Sequence, residues 1–281
     1  MAITNFIPTI WSENLTRALD QEYVGVAHCN RDYEGEIKNC GSTVKICGVG
    51  SVDIFDYTKN ADMSMPQDLS DTVTELTIDQ AKYFNFQIDD IDRAQSSPKL
   101  MDAAMKVAAQ GLAQDADRFI FKLSEEATHN VYVSEPNNVE EAMQALFAAR
   151  EKLFKAGVTD SSDVVFEVSP GVASLLLKAK ITNCSDTNEI YEKGTLGSIF
   201  GCPIYVSNNI HIDDTSSIFD HHKCLLRTRR SVAFAEQLSE IEAYRPEKRF
   251  ADAVKGLHLY GAKIVYPNEF IVVNFSMEKD A

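Results

Sequence analysis

Apolar and polar residues alternate along one long stretch near the front of the chain, and in the next stretch apolar residues recur every three or four positions. From Ser42 to Cys47 (STVKIC), Val44 and Ile46 fall on one face and Thr43, Lys45 and Cys47 on the other, before Gly48 and Gly50 break the run. A second extended run covers Val52 to Tyr57, and Thr58 to Ser70, with Asn60, Asp62, Pro66 and Asp68, has the composition of a loop tip. Thr72 to Ile78 (TVTELTI) and Tyr83 to Ile88 (YFNFQI) resume the period of two, so the pattern predicts a long hairpin that goes out and comes back. This arm, Gly41 to Asp92, carries too little apolar surface for a core of its own and is marginal in water until a neighbour covers it. The simplest neighbour is another copy of the same chain.

Helical spacing flanks the arm. Trp11, then Ser12-Glu13-Asn14 and apolar positions at Leu15, Leu19 and Tyr23, predict a short amphipathic helix, followed by turn chemistry at Asn30 to Gly35 (NRDYEG). After Ser97-Pro98, Met101, Met105, Ala108, Leu112, Ala116, Phe119 and Leu123 form one stripe opposite Asp102, Lys106, Gln110, Gln114 and Lys122. That predicts one helix of ~30 residues and ~45 Å lying on a sheet.

The rest has an α/β rhythm. Val139 to Ala156 reads as a helix with Met143, Leu146, Phe147, Leu153 and Phe154 on its core side and Gly157 as its stop. Asp163 to Val168 reads as a buried strand, and Ser169-Pro170 opens a helix running to Ala179. Gly194 to Asn209 makes a glycine-punctuated turn into a strand at Pro203 to Ser207. Further strands are predicted at Lys223 to Phe234, Gln237 to Tyr244, His258 to Tyr266 and Glu269 to Phe275, the last two around a Pro267-Asn268 turn. These closing strands are candidates for the sheet under the long helix.

Composition narrows the function. The 281 residues are 44% apolar, enough for a sizeable core in one large domain or two ordinary ones. With 42 acidic against 27 basic side chains the formal charge is −15, which argues against tight, sequence-independent binding of nucleic acid. No apolar run approaches the ~20 residues of a membrane span and the N-terminus lacks a signal-peptide pattern, so a soluble protein made in a reducing cytoplasm is expected. The six cysteines (Cys29, Cys40, Cys47, Cys184, Cys202, Cys224) then read as free, structural thiols.

Signals for catalysis are weak. Gly48-Val49-Gly50 has two of the glycines of a dinucleotide fingerprint and precedes a strand pattern, and neither a nucleophile elbow nor a Walker sequence occurs. His211, His221, His222 and Cys224 are chemically suited to zinc, but their spacing matches no standard site, and the competing reading is a polar loop whose Asp213, Asp214, Asp220 and histidines face water. Asp89, Asp90 and Asp92 suit a turn at the favourable end of a helix dipole better than a cation site. No catalytic, cofactor-binding or metal-ligating residue is assigned.

The order of segments resembles a known family. Trp11 in an N-terminal arm, NRDYEGEI followed by Gly41-Ser42-Thr43-Val44, an extended loop, and Phe86-Gln87-Ile88-Asp89-Asp90-Ile91-Asp92 lead into the long helix. Gly197-x-x-x-Gly201 and Leu259-Tyr260-Gly261-Ala262-Lys263 come later. Over nearly the whole chain this resembles the major capsid protein of tailed bacteriophages, with the Hong Kong 97-type capsid fold. The resemblance implies an α+β chain divided into an N-terminal arm (1–40), an extended β-hairpin E-loop (41–92), a peripheral domain with a spine helix (93–136), an axial α/β domain (137–234) and a return to the peripheral domain (235–281).

It also implies a protein that is not an enzyme. The expected role is self-assembly as hexamers and pentamers into an icosahedral head shell enclosing double-stranded DNA without sequence-specific binding, with scaffolding and portal proteins as partners. The expected place is the virion, after synthesis in the host bacterial cytoplasm. An encapsulin-type compartment shell is the alternative within the fold, and an acidic metal-dependent hydrolase using the His211 to Cys224 cluster the alternative outside it. Lys59 and Asn60 match no crosslinking motif and read as a solvated turn.

Overall fold

The computed structural model describes residues 19, 22–33, 43–49, 54, 56, 59, 71–89, 100–133, 135, 138–183, 197–214, 219–247 and 251–278. Trp11, Cys40, Asp90, Asp92, Ser97-Pro98, Cys184 and most of the loop tip, Asn60 included, lie outside them. No described helix is long and apolar enough to cross a membrane.

Strands β1 (Thr43–Val49) and β2 (Asp71–Thr77) pair antiparallel in the register Val44↔Leu76, Ile46↔Thr74, so the alternation seen in the sequence sets which face is apolar. The returning chain does not stay in this hairpin. After Ile78-Asp79, β3 (Gln80–Asp89) leaves the arm and pairs with β11 (Ala251–Ile264), which pairs in turn with β10 (Val232–Tyr244). The Tyr83 to Ile88 run predicted as part of the hairpin thus belongs to a three-stranded sheet of the body. Period-two patterning identifies a strand but not its partner.

Helix α1 (Leu100–Lys122) continues into a 3-10 turn at Leu123–Glu126. Its buried side is broader than the predicted stripe, adding Ala109, Ala113, Asp117, Ile120 and Phe121. These residues pack on Phe234, Val254, Tyr260 and Ala262 of the three-stranded sheet, which bears out a helix lying on a sheet.

A second, seven-stranded sheet holds β4 (His129–Val133), β5 (Val164–Val168), β6 (Ser198–Ile199), β7 (Cys202–Val206), β8 (Ile212–Asp213), β9 (Phe219–Thr228) and β12 (Phe270–Glu278). Its order is β4-β12-β9-β5-β7-β6, with β8 on β9. Helices α2 (Val139–Lys155) and α3 (Pro170–Asn183) accompany it. The sequence splits the run after Lys223 at the wrong place: the break is a 3-10 turn at Arg229–Ser231, before β10. The last strand, β12, lies between β4 and β9 in the seven-stranded sheet, apart from β11.

Two cores meet across β9 and β12. Leu225, Phe270 and Val272 face the core under α1, while Cys224, Leu226, Ile271, Val273 and Phe275 face the core that holds α2 and α3. Both faces are dry from Cys224 to Thr228 of β9 and from Phe270 to Phe275 of β12, so these stretches lack the alternation of a half-buried strand. Each large apolar side chain so buried stabilises the fold by about 1.5–3 kcal/mol.

Helix α2 is well delimited. The Asn138 side chain accepts from the backbone N–H of Glu140 (2.9 Å) and Glu141 (3.2 Å). At the other end Gly157, at φ +86°, donates to Phe154 O, and Val158 donates to Leu153 O, both at 3.0 Å, closing a Schellman motif around the stop expected there. Its core face is Ala142, Ala145, Leu146, Ala149 and Leu153, so Phe147 and Phe154, predicted inside, are 57% and 52% exposed instead. The small alanines bring the helix close to the sheet and turn both rings outward.

Candidate functional site

The arm is fixed at its root by its own chain. Val44, Ile46, Leu76 and Ile78 are all at most 6% exposed and pack against Ala233, Ala235 and Leu259 on the outer face of the three-stranded sheet. This corrects the expectation that another copy covers the whole apolar face: the body covers the root. The approach is close. A Cβ placed on Gly261 would stand 2.3 Å from the Thr77 carbonyl oxygen, so only glycine lets β11 pass under the end of β2.

Beyond the root the same sheet face is uncovered. Tyr83 (78% exposed) pairs across strands with Leu257, and Tyr244 lies alongside, its hydroxyl donating to Asn85 Oδ1 at 3.1 Å. Lys255 and Glu242 on this face pair with each other at 2.6 Å. Of the distal arm, Ile54 is 96% exposed and Lys59 also faces solvent.

Opposite the arm a short strap, residues 23–31, is drawn into the body by charged groups on four elements. Asp117 of α1 accepts from the backbone N–H of Val24 (3.0 Å), Gly25 (2.9 Å) and Val26 (3.0 Å). Burial pushes its carboxyl up to about 6, despite the N–H donors that oppose the shift. Arg227 of β9 donates to the carbonyls of His28 (2.9 Å) and Gly25 (2.8 Å), while its other donors fork onto Glu167 of β5.

Glu236 of β10 takes bonds from Tyr23, Arg31 and His258. Burial works against its charge, yet the His258 and Tyr23 hydrogen bonds and the nearby cations leave its carboxyl below the usual range. The strap then joins the sheet: Asn30 N donates to Val232 O and Phe234 N donates to Asn30 O, both at 2.9 Å. Tyr23 also donates to Leu19 O at 3.2 Å, closing one turn where the N-terminal helix is expected. The remainder of that helix lies outside the described residues.

The sequence singles out none of the charged residues Asp117, Glu167, Arg227 and Glu236 that hold the strap. A signal was present: Glu167 is the lone charge of an apolar strand (VVFEV), Arg227 is the one charge in the buried second half of β9 (CLLRT), and Asp117 sits on the buried side of an amphipathic helix. A charge at such a place must be paired.

The zinc candidates are not brought together. His211 pairs with Glu125 at 3.0 Å, His221 meets Ser276 Oγ at 3.2 Å and His222 meets Ser169 Oγ at 2.6 Å. Cys224 is buried, its thiol pushed up to about 12 by desolvation. His221 and His222 are successive strand residues and point to opposite faces. They belong to β9 and not to the water-facing loop that was the competing reading. Among the described residues no three His, Cys, Asp or Glu side chains are placed to hold a metal. Cys29, Cys202 and Cys224 are free thiols.

A cleft of about 550 Å³ opens between the β2–β3 turn and the C-terminal half of α1. Several of its charges pair with one another: Asp115 with Lys82 (3.9 Å) and Arg118 (3.8 Å), and Glu126 with Lys263 (3.1 Å).

No family model and no curated protein matches the chain. Solved structures do. A chain from Mycobacterium phage Che8 is 28% identical, with 97% of this chain and 98% of that one covered, at a TM-score of 0.72. A chain from the capsid of Cyanophage P-SCSP1u is 13% identical, covering 89% and 86%, at 0.68. One from the capsid of Ralstonia phage GP4 is 13% identical, covering 92% and 89%, at 0.64. The chain is α+β, and its fold is that of the phage capsid chains it matches.

Proposed function

We propose that many copies of this chain form the icosahedral head shell of a tailed phage, enclosing its double-stranded DNA, and that the arm is what joins one copy to the next. The observation that carries this reading is the likeness in fold to capsid chains over nearly the whole length. The arm's root is held by its own body, and its distal part carries Ile54 into solvent, so the distal part is the piece with surface to give to a neighbour. The outer sheet face with Tyr83, Leu257 and Tyr244 offers that neighbour's arm an apolar landing strip next to an established packing site. Association of this kind works by repetition: a modest contact becomes a stable particle when every copy makes it several times.

The segments take the roles of the capsid family in this reading: 1–40 the N-terminal arm, 41–92 the E-loop, 93–136 the peripheral domain, 137–234 the axial domain and 235–281 the return. The net charge of −15 suits a wall that confines DNA without gripping it. Scaffolding and portal proteins are the expected partners, and the host cytoplasm the place of synthesis.

Electron microscopy and light scattering of the purified protein, alone and co-expressed with its genetic neighbours, test the proposal. Closed particles or capsomers are expected. Particles filled with an enzyme cargo would favour a compartment, and a small soluble oligomer under all conditions would reject a shell.

A further inference from the structure

The hairpin formed by β6 and β7 carries an unusual residue at its tip. Ile199 pairs with Cys202, leaving Phe200-Gly201 as a two-residue loop, and both have positive φ, +54° and +78°. Such loops match the twist of their strands and call for Asn, Asp or Gly, because a Cβ in the left-handed region crowds the backbone. A bulky aromatic is an outlier there. Among the described residues Phe200 is the one non-glycine with positive φ.

The strained ring is not hidden in the core. Phe200 is 38% exposed and lies 4.6 Å, centroid to centroid, from Phe147 on the outward side of α2. One heptad further along that helix is Phe154, with the Arg150 guanidinium 4.4 Å over its ring. Three phenylalanines therefore form one outward ridge, on a helix whose core face is made mostly of alanine and leucine. Backbone strain that leaves the ring outside the core, beside a second exposed ring, has its reason elsewhere, and an aromatic ridge facing water is the usual form of a contact surface.

We infer that the Phe147–Phe154–Phe200 ridge is a contact surface for a second copy of this chain. The inference rests on the shell reading. Size selects the occupant: at roughly 200 Å² per ring the exposed aromatic area is on the order of 300 Å², well short of the roughly 800 Å² per partner that an isolated stable pair needs. A contact this small holds only where a closed ring of copies repeats it and other contacts support it.

Phe200→Asn tests the role, since Asn adopts positive φ readily and keeps the turn. The expected result is a Tm equal to or above wild type, with the assembled fraction at matched concentration falling by about tenfold or more, as for loss of an aromatic anchor. Phe154→Gln, at an exposed helix position away from the turn, is expected to weaken assembly with Tm unchanged. Wild-type assembly by both variants would overturn the inference and leave the shell reading standing. A lowered Tm for Phe200→Asn with undiminished particles would also overturn it, making the ring a cover for Phe147. Failure of wild type itself to assemble would remove the shell reading, and this inference with it.

Discussion

Arg227 on β9 and Glu167 on β5 meet as a two-pronged ion pair without solvent access, Nε to Oε2 at 2.9 Å and Nη2 to Oε1 at 2.7 Å. The remaining guanidinium donors reach the strap carbonyls of Gly25 and His28, so one side chain ties the seven-stranded sheet to the N-terminal segment. Removing one partner leaves a buried charge alone. Glu167→Gln or Arg227→Met is expected to cost about 3–5 kcal/mol in urea unfolding, and the double variant less than the sum of the two.

Two glycines separate close approach from idle flexibility. Gly261→Ala drives a Cβ to 2.3 Å from the Thr77 carbonyl, which must shift, so about 3 kcal/mol of lost stability and faster proteolysis of the arm are expected. Gly111 lies exposed within α1 with nothing within 4 Å of a new Cβ, and Gly111→Ala is expected to add about 0.5–1 kcal/mol. Thermal unfolding of the two variants side by side checks both signs.

The arm's root offers a contrast between its two faces. Leu76 is fully buried, and Leu76→Ala is expected to cost about 2–5 kcal/mol, whereas Val73, 46% exposed on the other face, tolerates Ser within about 0.5 kcal/mol. If Leu76→Ala left monomer stability unchanged, the root would not be anchored on its own body.

Asp117 gives the strap a pH dependence. Its carboxyl is raised from 3.8 to about 6 by burial, so folding favours the protonated form. The stability this group contributes is present below about pH 4 and is lost as pH rises through 6, a change of up to about 3 kcal/mol. In Asp117→Asn that part of the profile is expected to flatten. Unfolding free energies measured between pH 4.5 and 8 for both proteins isolate the effect from the general repulsion of a chain with charge −15.

What the sequence made legible were elements whose two faces differ. Val44 and Ile46 against Lys45, and the Met105 to Leu123 stripe against Lys106 and Gln110, announce a strand and a helix because one side meets water. Pairing was hidden: nothing in YFNFQI says that Phe84 and Phe86 join β11 and not the arm. Stretches buried on both sides, such as Cys224 to Thr228 of β9, have no alternation, so the break at Arg229–Ser231 was misplaced. Phe147 and Phe154 were put inside because the pattern favours large side chains, while close helix packing favoured Ala145 and Ala149. The Asp117 and Arg227 clamp depended on partners distant along the chain, which spacing does not reveal.

Particle formation by the purified full-length chain tests the central claim most directly, with electron microscopy and light scattering at rising protein concentration. Capsomers or closed shells in wild type, reduced when Ile54 at the exposed arm is changed to Asp, are the predicted result. A compact monomer at every concentration, indifferent to that change, would contradict it.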